Sequence, residues 1–303
     1  MNGQTQPTPA KSAGTAQMND AAQISWQATG DRATGPAVVL LHGGPGLPDY
    51  LEDVAAMIDD LVPVYRYDQR GTGRSPWHGR HTLDRHLHDL AQLLDQWGLS
   101  RALLIGHSYG ATVASRFCLA HPQRVSGLLL MCGAFVGDWQ PLYQAERDRR
   151  MTLEQRHRLR ELQQTADRTQ EQEEELLTLA WVTDHADPLR GWQWAARDAR
   201  QRRPVNWQMN AELGREGHQD PLDDHLTVLR SCRPAHTEIL AAEGDPRPLS
   251  ALESAAVQLG VPLTRIADAG HAPWLEQPEE VRTHLRRFIR GATAPEPDVE
   301  GVR

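Results

Sequence analysis

Three residues of this chain have the types and the order needed for acyl transfer: a hydroxyl at Ser108, a carboxylate at Asp245 and an imidazole at His271. A serine activated by a histidine, itself oriented by an acid, attacks carbonyl carbon and passes through a covalent acyl intermediate. Ser108 lies in Gly106-His107-Ser108-Tyr109-Gly110, a G-x-S-x-G pattern. The pattern demands a strand before it and a helix after it, because a serine on a sharp elbow leaves no room for side chains two positions away. Ala102 to Ile105 is a short aliphatic run that predicts a buried strand, and Ala111 to Ala120 predicts a helix stopped at His121-Pro122. The start of that helix aims its unpaired N–H groups at the position of an oxyanion.

A second glycine-rich turn, His42-Gly43-Gly44-Pro45-Gly46, follows the apolar run Ala37 to Leu41. Its backbone is free to approach a carbonyl oxygen, so the N–H groups of Gly44 and Tyr109 are the candidate oxyanion donors. Val62 to Tyr67 predicts another strand, leading into Asp68-Gln69-Arg70-Gly71-Thr72-Gly73-Arg74-Ser75, where Asp68 and Arg70 are expected to brace the oxyanion loop. Leucines at 83, 87, 90, 93 and 94 mark an amphipathic helix with Thr82 as its cap. His78, His81, His86 and His88 are not read as a metal site, since His86 and His88 point to different helix faces. For the acid, Asp138 is a rival: it follows the strand predicted over Val125 to Met131, whereas Asp245 sits in a Gly-Asp-Pro loop after the strand over His236 to Ala242. His271 follows the last strand, Leu263 to Ile266, and a closing helix runs from about Pro278 to Ile289.

The elements predict an α/β architecture, a mostly parallel sheet flanked by helices, with core segments 23–133 and 236–290 and a helical lid inserted over 134–235. Five of the nine tryptophans (Trp139, Trp181, Trp192, Trp194 and Trp207) fall in the insertion, and with Trp274 the first four are candidate substrate contacts. Ile24 to Gln27 reads as an edge strand, and residues 1–22 and 291–303 read as mobile tails. A net charge of −8 argues against a nucleic-acid or anionic-membrane surface. With no apolar stretch of spanning length and no signal-like N-terminus, the expected location is the cytoplasm. Cys118, Cys132 and Cys232 have neither metal-like nor disulfide-like spacing and are expected as thiols. The expected partner is a small-molecule or short-peptide substrate, without cofactor or metal.

From Ala37 to Ile289 the chain resembles the α/β-hydrolase superfamily. The His42 to Gly46 turn and the Asp68 to Ser75 segment resemble the prolyl aminopeptidase (proline iminopeptidase) group of serine peptidases. That resemblance implies release of an N-terminal proline, with Ser108 as nucleophile, His271 as base and Asp245 as orienting acid. The group's elbow carries Gly and Trp where this chain has His107 and Tyr109, and its lid carries a Trp-Glu pair where this chain has Trp192-Gln193-Trp194 followed by Ala195-Ala196-Arg197. Holding a substrate amine then falls to Asp198, Glu212 or Glu216. An esterase or lactonase using the same three residues needs no such carboxylate and stands as the alternative. Epoxide hydrolase and dehalogenase chemistry place an aspartate where Ser108 stands, and a non-catalytic ligand-binding role sits poorly with an intact Ser-Asp-His set.

Overall fold

The computed structural model describes residues 11–31 and 36–293. Among the described residues, eight strands form one sheet: β1 (Lys11–Gln17), β2 (Gln23–Thr29), β3 (Val38–Leu41), β4 (Val64–Tyr67), β5 (Ala102–His107), β6 (Val125–Met131), β7 (Thr237–Ala242) and β8 (Leu263–Ile266), in spatial order β1-β2-β4-β3-β5-β6-β7-β8. β1 and β2 pair antiparallel, as do β2 and β4, and all later neighbours are parallel. Twelve α-helices accompany them among the described residues: α1 (Glu52–Ala55), α2 (Leu83–Gln96), α3 (Tyr109–Ala120), α4 (Gln140–Arg150), α5 (Leu153–Gln164), α6 (Gln170–Trp181), α7 (Pro188–Gln201), α8 (Trp207–Gln219), α9 (Leu226–Cys232), α10 (Leu249–Leu259), α11 (Pro273–Glu276) and α12 (Pro278–Thr293).

The central strands are apolar on both faces because each face feeds a separate core, and the period-two alternation of a strand sorts the side chains between them. Val39, Leu41, Leu104, Leu128, Leu130 and Ile239 point to one side, against the apolar faces of α2, α3 and α10. Val38, Leu40, Leu103, Ile105, Leu129 and Leu240 point to the other, where α1 and α12 close the layer with Val54, Val281, Leu285 and Phe288. With both faces covered, the catalytically useful positions are the loops at the carboxyl ends of the parallel strands.

Two expectations at the ends of the core are corrected. Residues 1–22 are not wholly a tail: Lys11–Gln17 pairs along its full length with β2, and Ala16 and Met18 are buried. β2 is therefore an interior strand and β1 the edge. Residues 1–10 and 294–303 lie outside the described residues. At the far end of the insertion, α9 packs on the core and not in the lid, with Leu226 and Leu229 buried in the cluster that holds α3 and α10. Lid helices α5 and α6 have a small apolar cluster of their own, made by Met151, Leu159, Leu162, Leu176 and Leu179. The start of α8 is tied to the glycine-rich turn: Asn206 N–H donates to Gly46 O at 2.8 Å and Asn210 Nδ2 to Pro45 O at 3.0 Å. No helix among the described residues is long and apolar enough to cross a membrane. Cys118 and Cys132 are buried and Cys232 is half-buried, all as free thiols.

Thr82 caps α2 by accepting from Arg85 N–H. One turn on, burial forces the imidazole of His86 down to a pKa of about 3 from an ordinary value of 6.5. The unfolded chain therefore binds a proton that the folded chain refuses, so this group's contribution is complete above pH 6.5 and lost as the pH falls toward 3. The loss is at most about 1.4 kcal/mol per pH unit. The expected result is a melting temperature that falls from pH 7 to pH 5, and falls less in His86→Met; equal acid sensitivity of the two proteins would show that other groups dominate.

Candidate active site

β5 delivers the chain to His107, and Ser108 then takes φ 56° and ψ −125° before α3 begins. A non-glycine residue reaches this region only under constraint from its surroundings. The flanking glycines remove the obstacle, for a Cβ at Gly110 would lie 2.0 Å from Leu41 O and one at Gly106 would lie 2.3 Å from Gly110 O. Ser108 N–H donates to Met131 O at 3.0 Å, fixing the elbow against β6.

The glycine-rich turn is held by His42 and Gln69. Gln69 N–H donates to His42 Nε2 at 3.2 Å and Gln69 Nε2 donates to His42 O at 2.9 Å. With Nε2 accepting, the ring proton sits on Nδ1 and is donated to Gly43 O at 3.0 Å. Burial lowers the His42 pKa and so keeps this neutral form. The Gly43 carbonyl and the Gly44 N–H belong to one trans peptide and point in opposite directions, so fixing the first aims the second. Among the described residues, neither Gly44 N–H nor Tyr109 N–H donates to a backbone acceptor. The expected Asp68–Arg70 brace is replaced by something else. Asp68 accepts from Asp49 N–H at 2.9 Å and from Arg74 N–H at 3.0 Å, whereas Arg70 turns away to Asp89 and Asp20, joining α2 to the β1–β2 turn.

The loops after β7 and β8 bring Asp245 and His271 together. His271 Nδ1 and Asp245 Oδ2 are 2.6 Å apart, and both residues are buried. The other oxygen, Asp245 Oδ1, accepts from Arg247 N–H at 3.0 Å and from its guanidinium at 3.1 Å. Burial opposes the charge on Asp245, but His271 and Arg247 outweigh it and hold the carboxyl well below the usual range. The backbone N–H of His271 donates to Asp184 O at 2.7 Å, and Gly270 N–H donates to the Glu276 carboxylate at 2.6 Å. Asp138, the rival acid, is exposed to solvent, whereas it is Asp245 that meets His271.

Ser108 opens on two cavities. One, about 460 Å³, is bordered by Gly44, Ser108, Tyr109, Trp139, Glu216 and Arg247. The other, about 80 Å³, is bordered by Gly44, Ser108, Trp181, Asp198, Arg202 and His271. Trp139 and Trp181 thus stand where a substrate contact is expected, and three other tryptophans do not. Trp192 is 39% exposed on α7. Trp194 packs on His185 (ring centroids 5.2 Å apart) and under Arg190, facing a different depression. Trp274 is 3% exposed and lies beneath the site, edge-on to His107 with centroids 4.7 Å apart. Sequence reasoning missed Tyr50, Asp184, Arg202 and Arg247, which touch or line the site; only Arg247, two positions beyond the candidate acid, carried a positional hint.

The family model described as alpha/beta hydrolase family matches residues 38–283. Among curated proteins, a proline iminopeptidase of Heyndrickxia coagulans is 36% identical over 111 residues, covering 35% of this chain and 38% of the relative. An epoxide hydrolase B of Mycobacterium tuberculosis is 34% identical over 107 residues, covering 34% of this chain and 30% of the relative. The alignments thus span well under half of these relatives. Among solved structures, a thermophilic esterase from Thermogutta terrifontis superposes with a TM-score of 0.71 at 22% identity, covering 94% of this chain and all (100%) of that one, a likeness of fold.

Proposed function

The chain belongs to the alpha/beta hydrolase family and resembles its proline iminopeptidases, and on that premise we propose that it is a serine hydrolase working through an acyl-enzyme. The observation that carries the reading is the 2.6 Å contact between His271 Nδ1 and Asp245 Oδ2, made beside a cavity that His271 shares with the strained Ser108. In this reading His271 Nε2 takes the proton of Ser108 as Oγ attacks a carbonyl carbon, and the N–H groups of Gly44 and Tyr109 receive the oxyanion. The same imidazolium then protonates the leaving group. Water, deprotonated by His271, releases the acyl group and restores Ser108.

The substrate we propose is a short peptide or amide with a free N-terminal residue, prolyl first among them. It needs a carboxylate for the amine. Asp198 is already engaged by Arg197 and Arg202 at 2.9 and 2.5 Å, and Glu212 accepts from His81 N–H away from both cavities. Glu216 borders the larger cavity with Ser108, and of its two oxygens Oε2 accepts from Leu83 N–H at 2.9 Å. Glu216 is therefore the amine-binding residue of this reading. Glu216→Gln is expected to raise KM for a prolyl arylamide by about tenfold or more while leaving a short-chain aryl ester within about twofold. The esterase or lactonase alternative is favoured by the aromatic walls of that cavity, Phe135, Trp139 and Tyr143. Wild type and Ser108→Ala assayed side by side on prolyl arylamide, alanyl arylamide and aryl ester separate the readings. Ser108-dependent cleavage dominated by the prolyl amide supports the aminopeptidase, and cleavage of the ester alone replaces it with the esterase.

A further inference from the structure

His107 is buried and Tyr50 half-buried, and the proposed chemistry leaves both polar groups without a task. Gly43 N–H donates to Tyr50 Oη at 2.8 Å, Tyr50 Oη lies 2.7 Å from His107 Nδ1, and His107 Nε2 lies 2.7 Å from His271 O. The carbonyl end of this chain of contacts and the burial of the ring set the protons within it. A backbone N–H can only donate and a carbonyl oxygen can only accept. His107 Nε2 therefore carries a proton and donates it to His271 O; in the neutral ring Nδ1 is then an acceptor, so Tyr50 Oη donates to Nδ1 while accepting from Gly43 N–H. Burial keeps the ring neutral by holding the His107 pKa well below its ordinary value.

The three segments so joined are the ones whose spacing decides whether the proposed reaction proceeds. Gly43 precedes the Gly44 N–H in the oxyanion turn after β3, His107 precedes Ser108 on the elbow after β5, and His271 is the base in the loop after β8. Packing fixes the two rings as well. Tyr50 stacks on Trp274 with centroids 6.4 Å apart and lies 4.0 Å beneath the Arg202 guanidinium, and His107 stands edge-on to Trp274. The second backbone group of His271, its N–H, is held by Asp184 O, so the base loop is clamped from both sides. We propose that Tyr50 and His107 are positioning residues, a hydrogen-bonded relay that locks oxyanion turn, nucleophile elbow and base loop at one spacing and thereby sets turnover.

This proposal rests on the serine hydrolase reading, and its test keeps the two apart. Wild type is first treated with a fluorophosphonate: absence of labelling at Ser108 removes the hydrolase reading itself. With labelling established, Tyr50→Phe retains the ring and its packing but loses both hydrogen bonds, and His107→Leu loses both bonds from the imidazole. Each is expected to lower kcat and the fluorophosphonate labelling rate by about tenfold to a hundredfold, with KM within about threefold, since sub-ångström misplacement acts on the reacting geometry and not on binding. The double variant is expected to be no worse than the weaker single within about threefold, because either break opens the same relay. His107→Gln, whose amide nitrogen can still donate to His271 O, is expected to recover part of the loss. A Tyr50→Phe protein with kcat within about twofold of wild type overturns the proposal, and so do losses that multiply in the double variant or that appear only in KM.

Discussion

Ser108→Ala is expected to abolish at least about three orders of magnitude of kcat while leaving the protein folded. The size follows from what the hydroxyl does in the proposed cycle: without Oγ no acyl-enzyme forms, and what remains is water attacking a carbonyl that the Gly44 and Tyr109 N–H groups polarise. The stability half of the expectation follows from the local structure. Ser108 is the N-cap residue of α3, yet its side chain accepts no capping hydrogen bond, so alanine removes no cap. The positive φ is borne by the backbone and its fixed neighbours, and alanine carries the same Cβ as serine. Melting temperature is therefore expected to stay within about 2 °C of wild type. The checks are turnover of the best arylamide or ester and a thermal melt on the same preparation. More than a tenth of wild-type activity at unchanged melting temperature would remove Ser108 from the nucleophile's place.

How far such an assignment reaches back to the sequence differs from element to element. The strands from β3 onward were legible because apolar runs such as Ala102 to Ile105 and Val125 to Met131 are buried on both faces and need no partner to be recognised. β1 was not, since Lys-Ser-Ala-Gly-Thr-Ala-Gln contains neither an aromatic nor an aliphatic β-branched residue, and it is a strand only because β2 offers it an edge. The Ser108, Asp245, His271 order was readable from spacing after strands, and so was the glycine-rich turn. What holds those parts was not. Arg70 finds Asp20 and Asp89, fifty and nineteen residues away, whereas its neighbour Gln69 braces His42. Tyr50 meets His107 across fifty-seven positions. Side-chain hydrogen bonds of this kind carry no periodicity, so the tertiary fold has to be known before they can be. The tryptophans fail for a related reason: pattern places Trp194 and Trp274 near the site, and only packing reveals that one covers His185 and the other underlies His107.

Asp245→Asn is expected to cost about four orders of magnitude in kcat, by comparison with the same change in the serine-protease triad, and Asp138→Asn is expected to cost nothing measurable. The carboxylate at 245 does two jobs in the proposed cycle. It accepts the Nδ1 proton of His271, which leaves Nε2 unprotonated and able to take the proton of Ser108, and its charge stabilises the imidazolium formed on doing so. Asparagine is nearly the same size and keeps an acceptor for Arg247, but an amide NH2 turned toward His271 donates to Nδ1 and drives the ring proton onto Nε2. The base is then in the wrong tautomer before any substrate arrives. Asp245 itself is ionised throughout the range in which the protein is assayed, since His271 and Arg247 hold its carboxyl well below the ordinary value. Asp138, exposed in the loop before α4, has no part in this. A larger loss from Asp138→Asn than from Asp245→Asn would mean that the buried contact at 2.6 Å serves the fold alone and that the acid lies at the end of β6.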